Sequence, residues 1–163
     1  MKKFLNYVVT ILLIVVQVTV LSRFKIAGLN FNLALTCVII VSAVADVKTS
    51  IINAAVAGVL FDVFACYTVG WHLVMFTVIS LLMYAMIKYM YHGSMVAVAV
   101  LTAVLTLITE LILYNFGYTY PQNYGSFAFL RYILPQIFMN TLSSLVLFPL
   151  YKKINETKTR YRY

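Results

Sequence analysis

The chain is poor in charge, and acidic residues are especially scarce. Only 10% of its 163 residues are charged, and four acids stand against twelve Lys and Arg. A water-soluble domain of this length needs far more charge to cover its core, so the composition argues against a soluble protein. Its two cysteines, Cys37 and Cys66, lie in apolar runs without the spacing of a metal site or a disulfide framework.

Catalytic motifs are also missing. The sequence has no phosphate-binding loop of the GxxxxGK[ST] type and no HExxH motif. Its two histidines are too few to indicate a Ser/His/Asp catalytic set. Asp46 and Asp62 would lie about 20 Å apart along the membrane normal, which disfavours an intramembrane aspartyl pair. We therefore expect no enzyme, no cofactor and no metal.

Apolar residues are what the chain has in excess. They make up 64% of the sequence, and the mean hydropathy is +0.97. A transmembrane helix needs about 20 apolar residues, and polar punctuation divides the chain into six segments of about that size. The predicted fold is an all-α polytopic membrane protein, one integral domain over 1–163, with transmembrane segments at about 4–22, 27–45, 51–67, 71–90, 95–116 and 132–151. The second begins weakly, since Gly28, Asn30 and Asn32 interrupt it.

The distribution of basic residues predicts the orientation. If the N-terminus is inside, nine bases lie on the inner side and three, Arg23, Lys25 and Arg131, on the outer side. Positive loops stay in the cytoplasm, so both termini are expected there. The basic tail, 152–163, interleaves bases with aromatics. It is more simply a cytoplasmic anchor that touches anionic lipid than a nucleic-acid site.

The third segment contains a carboxylate within an apolar run, "AAVAGVLFDVFACYTVGWH" over 54–72. Residues four apart share a helix face, so Asp62 lies with Gly58 and Ala54. Small residues at this spacing let another helix approach closely. Asp62 is therefore expected to point into a helix contact, and Gly70 to make the tight turn that follows.

The fifth segment repeats this arrangement, because Glu110 shares a face with Thr106, Ala103 and Ala99. Asp62 and Glu110 would both lie about 7 to 9 Å below the outer boundary, where Arg131 could reach them. We therefore predict a polar cluster of Asp62, Glu110 and Arg131, with His72 a possible member. It could fix helix packing alone, bind a ligand or proton, or shape a groove for a partner.

Two of these residues also have plainer interpretations. His72, beside Trp71 at a helix start, fits an interfacial residue, and Arg131 fits a snorkelling anchor. In the sixth segment, Gln136 and Asn140 share a face from which both can hydrogen-bond to neighbouring helices.

Two stretches resemble the MreD family, the rod-shape-determining membrane proteins of bacteria. They are "GVLFDVFACYTVGWHLVMFTVISLLMYAMIK", which carries Gly58, Asp62 and Gly70, and "PQIFMNTLSSLVLFPLYKKI", where Asn140 falls at a position that is often asparagine in the family. The second segment departs from the pattern. It reads "GLNFNLAL", where the family often has a proline and aspartate pair.

The resemblance implies a function and a fold. The function is that of a non-enzymatic subunit of the cell-elongation (rod) complex in the bacterial cytoplasmic membrane. Such a subunit would bind MreC and help couple MreB filaments, RodA and its penicillin-binding synthase to lateral peptidoglycan synthesis. The family's fold is similar to the substrate-binding subunits of energy-coupling-factor transporters. That similarity supplies the alternative, a vitamin-uptake subunit with a polar outer pocket.

Overall fold

The computed structural model describes residues 2–21, 32–65, 70–89, 94–115 and 129–155. Within these ranges every regular element is helical, and six α-helices are present. They are α1 (Lys2–Val16), α2 (Leu33–Val44), α3 (Val47–Ala65), α4 (Trp71–Tyr89), α5 (Met95–Asn115) and α6 (Leu134–Asn155). A π-helical turn, Gln17–Leu21, follows α1, and another, Phe129–Ile133, precedes α6. The expected all-α membrane fold with six helices is confirmed.

Two helices match their predicted segments closely, and a third begins earlier than expected. The sequence places α4 and α5 at 71–90 and 95–116, and both helices begin at the predicted residue, while 90 and 116 lie outside the described residues. The third segment was expected at 51–67, but α3 already begins at Val47. Asp46 explains the early start, because its carboxylate accepts the Thr49 hydroxyl at 2.7 Å and its carbonyl accepts the Ser50 N–H at 2.9 Å. Because of these bonds, the polar stretch that was expected to connect two helices forms the first turn of α3.

Asp46 also joins α3 to the start of the chain. The Thr49 hydroxyl, together with a weaker contribution from Lys3, holds the pKa of the Asp46 carboxyl below its usual value. The Lys3 ammonium lies 3.3 Å from that carboxylate. Both side chains are more than half exposed, so the pair positions α1 beside α3 and adds little stability.

The central helix of the bundle is α2. It contacts each of the other five helices, and all nine residues from 34 to 42 are buried. A helix that is apolar on every side is expected in such a position. The predicted segment was 27–45, whereas α2 covers Leu33–Val44, and 27–31 lies outside the described residues. At about 18 Å, α2 is shorter than the ~30 Å hydrocarbon core of a bilayer.

The surrounding helices turn apolar side chains outward. Three of the described helical stretches are long and apolar enough to cross a membrane, namely Val47–Phe64, Met95–Asn115 and Arg131–Asn155. Three shorter apolar helices accompany them. Large hydrophobic residues are exposed on α3, α4, α5 and α6, among them Val63, Val74, Val96 and Val146. A surface of this kind requires lipid or another apolar partner around it.

Candidate functional site

The start of α4 is held by a side chain from α3. The first backbone N–H groups of a helix have no partner within the helix. Here the Asp62 carboxylate accepts three such groups, from Gly70 at 2.8 Å, His72 at 3.1 Å and Leu73 at 3.3 Å. Asp62 is 2% exposed. A carboxylate is the favourable charge at this end of a helix dipole, so Asp62 acts as an N-terminal cap supplied by the neighbouring helix.

A histidine side chain completes the cap. The Nδ1 atom of His72 lies 2.8 Å from Oδ1 of Asp62, and both side chains are buried. The imidazole also lies against two aromatic rings, with ring centroids 4.7 Å from Phe61 and 5.6 Å from Phe76. His72 is thus buried against Asp62 and two aromatic rings, so it does not lie at an exposed interface.

Gly58 permits the approach of α3 to α4. A Cβ atom at this position would lie 2.5 Å from Leu73 Cα, 2.7 Å from Leu73 N and 2.8 Å from the His72 carbonyl oxygen. All three are backbone atoms, so no side-chain movement could relieve the clash. Asp62 lies one helical turn further along, which places its carboxylate at the end of α4.

Gly70 makes the turn that begins α4. Its φ angle is +97°, a left-handed conformation that costs other residues roughly 1 to 2 kcal/mol. The sequence therefore predicts the role of Gly70 correctly. Gly58, Asp62, Gly70 and His72 form one structural unit, which we call the hairpin lock.

The lock leaves Asp62 no capacity for further ligands. A carboxylate has about four acceptor positions, and each oxygen of Asp62 is engaged twice, Oδ1 by His72 N and Nδ1, Oδ2 by Gly70 and Leu73. The described residues also contain no group of three His, Cys, Asp or Glu that could hold a metal ion. The role of the hairpin lock is therefore to hold α3 against α4.

Neither Glu110 nor Arg131, the other members of the predicted cluster, is bonded to Asp62, whose partners are Gly70, His72 and Leu73. Glu110, 1% exposed, accepts a hydrogen bond from the Gln136 amide and so joins α5 to α6. Arg131 is exposed at the start of α6, and its expected ion pair with Asp62 is not formed. The four acceptor positions of Asp62 are all used by α4.

The small residues predicted to pack helices lie in the interior or at its edge. Ala54 is fully buried, one turn before Gly58, and Ala99 is 9% exposed. Ala103 is half-buried. That these residues let neighbouring helices approach closely stays a prediction.

A second helix start, that of α2, is capped from three directions. The Asn140 side chain accepts the Asn32 N–H at 3.0 Å, and the Gln17 side chain accepts the Ala34 N–H at 2.9 Å. Asn32 itself accepts the Leu35 N–H at 3.0 Å. The predicted cross-helix bonds of Gln136 and Asn140 are confirmed. The role of Asn32 is new, although an asparagine before an apolar run is a recognised N-cap signal.

The fold and the lock define a class of protein, a helical membrane protein whose buried polar groups join its helices to one another. A comparison with protein-family models then identifies the family. The family model for "rod shape-determining protein MreD" matches residues 1–156. The chain belongs to the MreD family of rod-shape-determining membrane proteins. No curated protein and no solved structure matches it.

Proposed function

We infer that the chain is a non-enzymatic subunit of the bacterial cell-elongation complex, placed in the cytoplasmic membrane with both termini inside. In this role it binds MreC and helps couple MreB filaments, RodA and the penicillin-binding synthase to lateral wall synthesis. The observation that carries the proposal is the family match over residues 1–156. The saturated carboxylate of the hairpin lock supports it, because a residue that only fastens helices suits a scaffold better than a catalyst.

The surface beside the hairpin lock contains a candidate docking site for a partner. Gly58 and Leu73 mark the closest approach of α3 and α4. The positions one and five residues beyond each of them are all exposed valines. In two antiparallel right-handed helices these positions lie on the same side of the pair. We call this surface the valine face: Val59, Val63, Val74 and Val78, which are 46%, 63%, 58% and 46% exposed.

The valine face suits the transmembrane helix of a partner. Its residues are β-branched and have few side-chain rotamers, so a partner helix packs against them at a small entropic cost. The lock beneath them fixes the spacing of α3 and α4. We assign MreC to this face, since its transmembrane part is the partner that the family membership suggests.

The assignment is tested by photo-crosslinking in native membranes. A photoreactive amino acid at position 63 or 74 is expected to crosslink MreC. The same group at Val96, which is 69% exposed on α5, serves as the matched control. Equal MreC crosslinking from 63 and 96 would reject the valine face while leaving the proposed function intact.

The function itself is tested in cells. Asp62→Ala at native expression is expected to leave the protein in the membrane, reduce the MreC that co-purifies with it and widen the cells, because the lock no longer fixes α3 against α4. Normal rod shape with full recovery of MreC would remove the assembly role of the lock. Absence of MreC and the wall synthases from the unaltered protein would overturn the proposed function.

The polar side chains around the start of α2 do not favour the vitamin-transporter alternative. That function requires several polar groups that converge on a pocket and remain free to bind a substrate. The side-chain oxygens of Gln17, Asn32 and Asn140 are instead directed to the start of α2.

A further inference from the structure

An apolar groove lies between α1 and α6, beside the start of α2. Its volume is about 240 Å³, and its walls are Leu13, Leu33, Leu142, Ser143, Val146 and Leu147. Two of the α6 residues that form it, Leu142 and Val146, are 48% and 68% exposed. The groove therefore opens toward the surface that faces lipid, and it belongs to neither the hairpin lock nor the valine face.

A positive charge lies on the same helix face as the groove. Lys153 follows Val146 by seven residues and Leu142 by eleven, so all three share one side of α6. The helix rise puts Lys153 about 10 Å beyond Val146, toward the end of the bundle where the chain begins. Lys153 is exposed and forms no ion pair among the described residues.

The acids of the described chain do not compete for this lysine. Asp46 is engaged by Thr49 and Lys3. Asp62 and Glu110 are buried in contacts with α4 and α6. Among the described residues, the groove face thus presents an apolar channel with an exposed cation, Lys153, at its end.

We propose that this groove binds an anionic phospholipid, with an acyl chain along Leu142 and Val146 and the headgroup phosphate at Lys153. The charge is complementary, and the ~10 Å between the lysine and the channel suits a molecule whose charged head and apolar tail are joined end to end.

The test compares two lipids on the purified full-length protein. The protein in mild detergent is titrated with phosphatidylglycerol or with phosphatidylcholine of the same acyl chains, and native mass spectrometry measures the bound fraction. A lysine near a membrane surface contributes about 1 kcal/mol to the attraction of an anionic lipid, so phosphatidylglycerol should bind about fivefold more tightly. Lys153→Gln should bring the two lipids to nearly equal affinity, whereas Lys48→Gln, which removes an exposed lysine away from the groove, should keep the preference.

A second pair of variants tests the channel. Val146→Phe fills it and should reduce the binding of both lipids, whereas Val96→Phe, at a valine of nearly equal exposure on α5, should not. Circular dichroism and gel filtration check that each variant keeps its fold. The proposal fails if Lys153→Gln and Lys48→Gln act equally, if Val146→Phe and Val96→Phe act equally, or if a photoreactive group at 146 captures a polypeptide in place of lipid.

Discussion

At the scale of the residue, Asp62 shows how a buried carboxylate in a membrane helix can be satisfied without a cation. An acid buried in a membrane helix is expected to pair with a cation, and Arg131 was the predicted partner of Asp62. The structure uses three backbone N–H groups and one imidazole instead. These donors lie only eight to eleven residues further along the chain, so the partner is brought close by a tight turn and needs no distant helix.

Asp62→Asn tests whether both carboxylate oxygens are needed. The amide keeps the shape but turns an NH₂ group toward backbone donors. We expect the free energy of unfolding to fall by about 2 kcal/mol, since buried donors are left without an acceptor. Thermal unfolding followed by the fluorescence of Trp71, the single tryptophan, reports on this end of α4. Asp46→Asn is the control, with an expected loss below about 1 kcal/mol because that carboxylate is half exposed.

If Asp62→Asn unfolds at the same temperature as the unaltered protein, the second oxygen has no structural role. The cap would then be a single-acceptor contact.

At the scale of the element, the helix starts are where sequence and structure differ most. The apolar runs predict that helices exist, and α4 and α5 follow their predicted bounds because both begin at clear polar boundaries. The start of α2 depends on Gln17 and Asn140, from opposite ends of the chain. No local pattern can indicate these two distant caps, whereas Asn32, predicted as an interruption of the segment, is a local N-cap that begins the helix.

In the candidate site, too, local spacing was predicted from the sequence but the partner helix was not. The four-residue spacing of Gly58 and Asp62 is a local property, and it correctly predicts that both face a helix contact. Which helix they face is not local. The equal depth of Glu110 suggested α5 as a partner, whereas the close approach of α4 to Gly58 decides the outcome.

Gly58→Ala tests the contact between α3 and α4. Alanine is about 1 kcal/mol better than glycine within a helix, but the added methyl group meets backbone atoms at 2.5 to 2.8 Å. The helices must separate, which also withdraws Asp62 from its donors, so we expect a net loss of about 2 kcal/mol in the free energy of unfolding.

Gly70→Ala is the matched control for this substitution. Open space surrounds the position of its Cβ, and only the φ angle of +97° opposes it. Its cost should be about 1 kcal/mol, without any change in the distance between spin labels on α3 and α4. A Gly58→Ala variant more stable than the unaltered protein would contradict the close contact.

At the scale of the whole molecule, the bundle is closed by its first and last helices. Asn6 and Asn155 exchange two side-chain hydrogen bonds, at 2.9 and 3.0 Å. One turn deeper, the Thr10 and Tyr151 hydroxyls lie 2.9 Å apart. These bonds join α1 to α6 across almost the full length of the chain, and together they complete the wall around α2.

A double-mutant cycle measures the strength of this closure. Asn6→Leu and Asn155→Leu should each destabilise the protein, but the double variant should lose less than the sum. We expect a coupling energy of about 0.6 to 1.7 kcal/mol, the range for polar contacts between membrane helices. Asn6→Leu combined with Asn115→Leu is the control, because Asn115 bonds to the Leu111 carbonyl of its own helix. Additive losses for Asn6 and Asn155 would show that the closure depends on apolar packing.

The dependence of Asp62 on α4 also bears on how the protein is made. While the ribosome has delivered α3 but not yet α4, the carboxylate has none of its four donors, and an unpaired acid is costly in hydrocarbon. Membrane insertion of α3 should therefore be completed only when α4 arrives, so that the two helices enter the bilayer as a pair. Nascent chains that end after residue 65 should insert α3 less efficiently than chains that end after residue 89, and Asp62→Leu should abolish that difference.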